Sequence, residues 1–143
     1  MKSKWILLAD DDPEDREMLE KAIYDVAPTA RVKTFPDGKK VMEFLAGRDS
    51  SDLPCTIVLD FNMPFLNGSQ VLEEIRKYPL YADVPKLIWS TSSQDYFIQT
   101  SLQMGAKDYL IKPASQEGFA FLAKPYQLGD LASALQSIER RSA

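Results

Sequence analysis

Short apolar runs alternate with amphipathic segments along most of the chain. Trp5–Ala9 is apolar throughout and Cys55–Leu59 nearly so, which is typical of strands buried in the middle of a parallel sheet. Further strands are predicted at Ala30–Phe35, Lys86–Trp89 and Tyr109–Ile111. Each strand is separated from the next by a segment with helical spacing of its apolar residues. This alternation predicts five βα units in succession and an α/β fold.

The first helix is predicted from its N-terminal residues. Asp12 is a good N-cap, Pro13 suits the first helical position, and Glu14 and Asp15 favour the positive end of the helix dipole. Pro28 ends the helix. Its predicted inner face consists of Leu19, Ala22, Ile23 and Val26.

Three more helices follow the same logic. Asp37 opens the second, the third follows a turn at Pro64–Gly68, and the fourth is predicted to be capped by Ser92 or Ser93 and to stop at Gly105. Their apolar residues are Val41, Met42 and Leu45 in the second, Val71, Leu72 and Ile75 in the third, and Ile98 and Leu102 in the fourth. Short polar loops at Gly47–Pro54 and Tyr78–Pro85 complete the connections.

Right-handed crossovers between successive parallel strands predict a doubly wound sheet. The flavodoxin-like strand order 2-1-3-4-5 fits five such units, and it places the functional site at the carboxyl ends of strands one and three. The chain of 143 residues fits one domain over 1–143, with its core at about 4–113.

A C-terminal helical segment is predicted over about 114–141. Ser115–Lys124 forms a short helix, Pro125 interrupts it, and Gln127–Arg141 forms another. An apolar seam in the second helix consists of Leu128, Leu131, Leu135 and Ile138. The favoured interpretation is one kinked final helix packed on the sheet, and the alternative is a seam that binds a partner.

Composition narrows the class of protein. A net charge of −4 argues against a nucleic-acid footprint. The single cysteine, Cys55, rules out an internal disulfide and indicates a reducing compartment. The apolar run after the N-terminus is too short for a secretion signal, and no stretch has the length of a membrane span. We therefore expect a cytoplasmic protein that does not enter the membrane.

The chain has no histidine, so a catalytic triad with a histidine base and a histidine-ligated zinc or iron site are excluded. With one cysteine, a thiolate metal cluster is excluded as well. Any bound metal must be a hard ion held by oxygen ligands, such as Mg²⁺, Mn²⁺ or Ca²⁺.

Five polar residues come at the ends of the predicted strands. Asp10 and Asp11 follow strand one, Asp60 follows strand three, Ser90 follows strand four and Lys112 follows strand five. Each has an ordinary explanation alone, as a helix cap, a turn residue, a strand-edge hydroxyl or a surface lysine. Because the carboxyl ends of parallel strands lie on one edge of the sheet, we expect all five to converge.

Three carboxylates at close quarters repel each other unless cations compensate them. Mg²⁺ suits such a site because it accepts carboxylates, a backbone carbonyl, water and phosphate oxygens. With the metal and Lys112 in place, one carboxylate can attack phosphorus. The metal, Lys112 and the Ser90 hydroxyl then each neutralise one oxygen of the transferred group.

Four segments carry a resemblance to a known family. WILLADDDPEDREMLEKAI, IVLDFNMPFLNG, LIWSTSS and GAKDYLIKP resemble, in order and at the family's spacing, the signature blocks of two-component response-regulator receiver domains. The resemblance covers about residues 4–113. Because no output domain is recognisable after Lys112, the chain resembles the stand-alone type of receiver, without a DNA-binding domain.

The resemblance implies a role for each site residue. Asp60 is the phosphoacceptor, Asp11 the direct acidic Mg²⁺ ligand, Asp10 a partner that acts through water, and Asn62 a ligand through its backbone carbonyl. Ser90 is the switch hydroxyl and Lys112 the family's lysine. Tyr109 matches the aromatic residue that moves inward on phosphorylation. The Lys112–Pro113 peptide bond is typically cis in the family.

The same resemblance implies the partners. A histidine kinase or a histidine phosphotransfer protein donates the phosphoryl group from phosphohistidine, and the phosphorylated domain changes its binding to another protein. The domain is a switch rather than a conventional enzyme, although it catalyses its own phosphorylation and hydrolysis. A homodimer through the face made by helix four, strand five and the last helix is one expected output.

Two features depart from the family pattern. Thr91 follows Ser90 where alanine or glycine is usual, which narrows access to the phosphoryl group. A second lysine–proline pair, Lys124–Pro125, lies beyond Lys112–Pro113. The spacing from Ser90 favours Lys112 as the functional lysine, with Lys124 as its rival.

Two other classes of protein use a related arrangement. A phosphatase of the haloacid-dehalogenase type also has a strand-end aspartate nucleophile and Mg²⁺, but it needs a second acid two residues later, where this chain has Asn62. A flavin-binding flavodoxin-like domain needs Ser, Thr or Gly donors after strand one, where the aspartates here would repel a phosphate. A degenerate receiver that serves only as a scaffold is disfavoured because the acids, hydroxyl and lysine are all present.

Overall fold

Five parallel strands form one sheet in the order β2-β1-β3-β4-β5 in the computed structural model, which describes residues 5–26 and 28–112. The strands are β1 Trp5–Ala9, β2 Arg31–Phe35, β3 Thr56–Asp60, β4 Lys86–Ser90 and β5 Asp108–Ile111. The helices between them are α1 Pro13–Val26, α2 Gly38–Ala46, α3 Gly68–Ile75 and α4 Asp95–Gln103, with a 3₁₀ turn at Pro79–Tyr81. The predicted doubly wound, flavodoxin-like sheet is confirmed.

Two interior strands, β1 and β3, are buried along their whole length. Because side chains alternate across a strand, they divide between two cores. Leu7 of β1 and Leu59 of β3 pack with residues of α2 and α3, and Leu8 and Val58 pack on the other face of the sheet with Leu19 of α1. The sequences of these two strands are continuously apolar because both faces of the sheet are buried there.

The start of α4 differs from the prediction. Its N-cap is Gln94, which makes no side-chain cap bond, rather than Ser92 or Ser93. The backbone of Ser92 is engaged elsewhere: its N–H donates to Ser90 Oγ (3.2 Å) and its C=O accepts from Tyr109 Oη (2.8 Å). These two bonds hold Ser92 outside the helix, and its own Oγ accepts from the Gln94 N–H at 3.2 Å.

Several boundaries also shift by a residue. β3 and β4 include Asp60 and Ser90 as their last residues, so the backbone of these residues is held by the sheet rather than by a following loop.

The buried face of α4 also differs from the prediction. It consists of Phe97 and Ser101, and Leu102 is 40% exposed. The predicted loop at Tyr78–Pro85 contains the 3₁₀ turn, which begins with proline.

The predictions for the C-terminal part lie outside the described residues. They include the helices at Ser115–Lys124 and Gln127–Arg141 and the cis peptide bond at Lys112–Pro113. Among the helices that the structure does describe, none combines the length and the apolar character needed to cross a bilayer.

Gly68 sets the distance between α3 and the end of β3. A Cβ atom at this position would lie 2.7 Å from the backbone oxygen of Asp60, which is too close for a Cβ atom, and in a tight 3.0 Å contact with Phe61 Cα. Asn67 caps the helix in a capping box with Gln70. The absent side chain and the cap together bring the first turn of α3 against the strand end that carries Asp60.

Phe65, in the loop between β3 and α3, has a φ of 69°, the left-handed region that a bulky residue rarely adopts. Its side chain is 75% exposed, so it contributes little packing to offset this strain. We expect Phe65→Asn to stabilise the protein by about 1 kcal/mol, because asparagine tolerates this conformation.

Urea unfolding at equilibrium measures this gain. Phe65→Ala is the matched control, because alanine also removes the exposed ring but keeps the steric cost of a Cβ in the left-handed region. An equal gain in both variants would show that the exposed ring, not the backbone conformation, is the source of the instability.

Candidate functional site

The carboxyl edge of the sheet brings together the side chains that the sequence places at strand ends. Asp10 follows β1, Asp60 ends β3, Ser90 ends β4 and Lys112 follows β5. The Lys112 Nζ lies 2.6 Å from Asp10 Oδ2 and 3.2 Å from Asp60 Oδ2. Convergence at this edge is thus as predicted, and it joins residues that are up to 102 positions apart in the chain.

Three carboxylates form a compact acidic cluster beside this lysine. One oxygen from each of Asp10, Asp11 and Asp60 lies within 4.8 Å of the other two. Asp10 is fully buried and Asp60 is 4% exposed, whereas Asp11 faces solvent. Asp10 and Asp60 are therefore buried members of the cluster, and Asp11 is its solvent-exposed member.

Backbone donors and an arginine fix the buried acids. The Asp12 N–H donates to Asp10 Oδ1 (2.9 Å), and Arg16 Nη1 donates to the backbone oxygen of Asp10 (2.7 Å). The Asn62 N–H donates to Asp60 Oδ1 at 3.3 Å. Asp12 also accepts from the N–H groups at the start of α1, as predicted for its N-cap.

The electrostatics of the cluster favour added positive charge. Burial and the nearby charge of Asp10 raise the pKa of Asp60 to about 7, although Lys112 acts in the opposite direction. Burial likewise raises the pKa of Asp10. Burial alone would lower the pKa of Lys112, but its hydrogen bond to Asp10 and the charge of Asp60 raise it overall. Lys112 is therefore charged, but its single positive charge does not balance the negative charges of the ionised acids.

The donor set fits a hard divalent cation. Asp10, Asp11 and Asp60 carry three negative charges when ionised, and Lys112 supplies only one positive charge. Carboxylate oxygens at this spacing are the ligands that Mg²⁺ and Mn²⁺ prefer. A divalent ion would add positive charge that the cluster lacks and would lower the pKa values that burial has raised.

The other predicted residues line the same edge. Ser90 is fully buried, and its backbone oxygen accepts from the Lys112 N–H at 2.6 Å. Tyr109 is partly buried and its hydroxyl donates to the backbone oxygen of Ser92, so it ties β5 to the loop after β4. Asn62 and Thr91 are exposed at the rim. The rival lysine, Lys124, lies outside the described residues.

Two contacts of Lys112 were not predicted. Asp15 Oδ2 lies 3.0 Å from its Nζ, and the ring of Trp89 lies below it with the centroid 4.6 Å away. The sequence explains Asp15 as an acid that favours the first turn of a helix, and Trp89 as a core residue of a strand. Nothing in the local sequence distinguishes Asp15 from the other acids at the start of α1, so the sequence offers no signal for its contact with Lys112.

This arrangement can perform a specific chemistry. A buried carboxylate held beside a charged lysine and a metal-binding cluster is positioned to act as a nucleophile toward an electrophile that brings negative oxygens. Ser90 ends the adjacent strand, β4, and its hydroxyl accepts from the Ser92 N–H at 3.2 Å.

Comparison with known proteins agrees with this geometry. Residues 6–121 match the family model of the response regulator receiver domain. The chain is 34% identical over 115 residues to the two-component response regulator ORR12 of Oryza sativa, covering 79% of this chain and 89% of that protein. It is 31% identical over 109 residues to the cyclic di-GMP phosphodiesterase response regulator RpfG of Xanthomonas campestris, covering 76% of this chain. The chain spans only 28% of the length of RpfG.

Solved structures show the same fold. The phosphorylated cyanobacterial phytochrome response regulator RcpA superposes with a TM-score of 0.74 at 25% identity, covering 99% of this chain and 97% of that one. The Mn²⁺-bound form of the response regulator Rcp1 gives a TM-score of 0.68 at 26% identity, covering 87% and 94%. The fold, the acidic edge and these matches lead to one conclusion: the chain belongs to the response regulator receiver domain family of two-component systems.

Proposed function

We propose that this protein is a phosphoryl-accepting switch, in which Asp60 receives a phosphoryl group from a phosphohistidine of a partner protein in the presence of Mg²⁺. The observation that carries the proposal is the position of the Lys112 ammonium. It lies within 3.2 Å of both the fully buried Asp10 and the proposed acceptor, Asp60. An ammonium held beside the acceptor can donate hydrogen bonds to the negative oxygens of an incoming phosphoryl group.

The chemical step is a transfer between two partners. An oxygen of the ionised Asp60 carboxylate bonds to phosphorus while the bond from phosphorus to the imidazole nitrogen of the donor breaks. The nitrogen keeps the electron pair of that bond, and the donor histidine leaves in its neutral form after taking a proton from its surroundings. The product is an acyl phosphate on Asp60. This chain has no histidine, so the donor is another molecule.

Each residue at the sheet edge has a role in this step. Mg²⁺, held by Asp10, Asp11 and Asp60 with the Asn62 carbonyl, would neutralise phosphoryl oxygens when bound. Lys112 donates to another oxygen, and the Ser90 hydroxyl to a third. Burial of Asp10 keeps its carboxylate in a fixed position, so this group needs little reorganisation during transfer.

The phosphoryl group would be read out on the face made by α4 and β5. Movement of Ser90 toward the phosphoryl group would pull the loop that Tyr109 holds through its bond to Ser92. That change biases an existing equilibrium between two arrangements of the loop and the tyrosine. The output is altered binding of a protein partner, with self-association through this face as one form of it.

The phosphotransfer donor is proposed to be a histidine kinase or a histidine phosphotransfer protein. The relatives that are named two-component response regulators support this class of donor. Catalysis by the domain is limited to its own phosphorylation and to slow hydrolysis of the acyl phosphate.

Incubation with acetyl phosphate and Mg²⁺ tests the proposal. Intact mass spectrometry should show one added phosphoryl group, and peptide mapping should place it on the peptide that contains Asp60. Chelation of the metal should abolish the adduct, because the buried acids would then repel the anionic donor. An adduct on another residue, or none under conditions where Mg²⁺ binds, would contradict the assignment.

A further inference from the structure

Asp15 is the unassigned member of the charge cluster around Lys112. The ammonium has three N–H groups, and it donates to Asp10 Oδ2 at 2.6 Å and to Asp15 Oδ2 at 3.0 Å. Asp60 is the most distant of its three carboxylate neighbours, at 3.2 Å. The lysine is thus held more closely by two acids that do not accept the phosphoryl group than by the acid that does.

The two competing acids differ in how readily they can release the lysine. The Asp10 side chain is fully buried, so loss of the lysine would leave its charge without water. The Asp15 side chain is 22% exposed and lies on the first turn of α1, where water can replace the ammonium. When a phosphoryl group on Asp60 attracts Lys112, the bond to Asp15 is the one that yields.

We propose that Asp15 is a positioning residue that competes with the phosphoryl group on Asp60 for the ammonium of Lys112. The competition weakens the phosphorylated state and so makes the switch easier to reset. This inference rests on the proposed function of Asp60. It assigns to the start of α1 a role that goes beyond capping and the helix dipole.

Binding of beryllofluoride, an analogue of the phosphoryl group, tests this role in the presence of Mg²⁺. In Asp15→Asn a neutral oxygen replaces the carboxylate, so the bond to Lys112 loses its charge assistance, and we expect beryllofluoride to bind about 3- to 10-fold more tightly. Asp15→Glu should remain within about twofold of the wild type, since it restores the charge.

Glu17→Gln is the matched control, because Glu17 lies in the same helix, is exposed and loses the same charge. An equal gain in Glu17→Gln would show that general repulsion by α1, not contact with Lys112, sets the affinity. Unchanged or weaker binding in Asp15→Asn, with normal binding in the wild type, would overturn the role of Asp15. A wild type that does not bind beryllofluoride would instead overturn the proposed function itself.

A second measurement does not depend on phosphoryl chemistry. In metal-free protein, the ¹⁵N resonance of the Lys112 ammonium should move in Asp15→Asn and stay in place in Glu17→Gln, because only the first variant alters a bond to this nitrogen. A resonance that is the same in all three proteins would show that Asp15 does not hold the lysine in solution.

Discussion

Replacing Lys112 by alanine is expected to remove phosphoryl acceptance at Asp60 and to destabilise the fold by about 3–5 kcal/mol in metal-free protein. The reason is that two buried carboxylates lose their cation at once. Asp10 is fully buried and Asp60 is 4% exposed, so water cannot replace the ammonium. Their charges would then repel each other at short range.

The loss of stability should depend on pH in a defined direction. Without Lys112, the folded state can keep Asp10 and Asp60 together only by taking up protons, so the variant is expected to lose less stability at pH 5 than at pH 8. The lysine itself does not cause this dependence: its pKa is raised above 10.5, so its contribution in the wild type is full at both pH values. Added Mg²⁺ should restore part of the stability at pH 8.

Two lysine variants serve as controls in the same urea titrations. Lys77→Ala removes an exposed ion pair to Glu74, for which no measurable change in stability is expected because solvent screens the pair. Lys124→Ala removes the rival lysine of the second lysine–proline pair. If Lys124→Ala, rather than Lys112→Ala, abolishes the acetyl phosphate adduct, the functional lysine has been misassigned.

The parts of the site that could be predicted share one property. Asp10, Asp60, Ser90 and Lys112 each follow or end an apolar run, and the rules of parallel sheets bring the ends of such runs together. The sequence therefore determines their convergence without any knowledge of side-chain contacts. The same argument gave the strand order, because right-handed crossovers leave few ways to connect five βα units.

The features that could not be predicted depend on contacts between distant segments. Asp15 meets Lys112 across 97 residues, and nothing in the local pattern of α1 distinguishes it from its acidic neighbours. The start of α4 was wrongly assigned because Ser92 is a good cap in isolation, whereas its backbone is held by Ser90 and Tyr109. At Ser92 the preference for an N-cap position loses to one local and one longer-range hydrogen bond, whereas Asp15 keeps its predicted place in α1 and gains a contact that only the tertiary fold provides.

Asp60→Asn is expected to change stability and function in opposite directions. The variant should form no acyl phosphate, because an amide oxygen is too weak a nucleophile to replace the carboxylate. It should nevertheless be more stable than the wild type by about 1–3 kcal/mol at pH 8 in metal-free protein. Asparagine keeps an oxygen that can accept from the Asn62 N–H, and it removes one of the crowded charges.

The sign of the stability change follows from the pKa of Asp60. The folded state raises this pKa from 3.8 to about 7, so ionisation of Asp60 costs stability. That cost is absent below about pH 4, where the carboxyl is protonated in both states. It grows as the pH rises and is complete above about pH 7. The advantage of the asparagine variant should therefore appear over this same interval.

Urea unfolding from pH 4 to pH 8 measures the difference in the free energy of unfolding between Asp60→Asn and the wild type at each pH, with Asp25→Asn as the control. Asp25 is exposed on α1, so its variant should differ from the wild type by less than about 0.5 kcal/mol at every pH. Saturating Mg²⁺ should cancel the gain from Asp60→Asn, because the ion stabilises the ionised wild type more than the variant. A variant that is destabilised at pH 8 without metal would show that the bond from Lys112 outweighs the repulsion from Asp10, and that the charge of Asp60 is already compensated before any cation or phosphoryl group arrives.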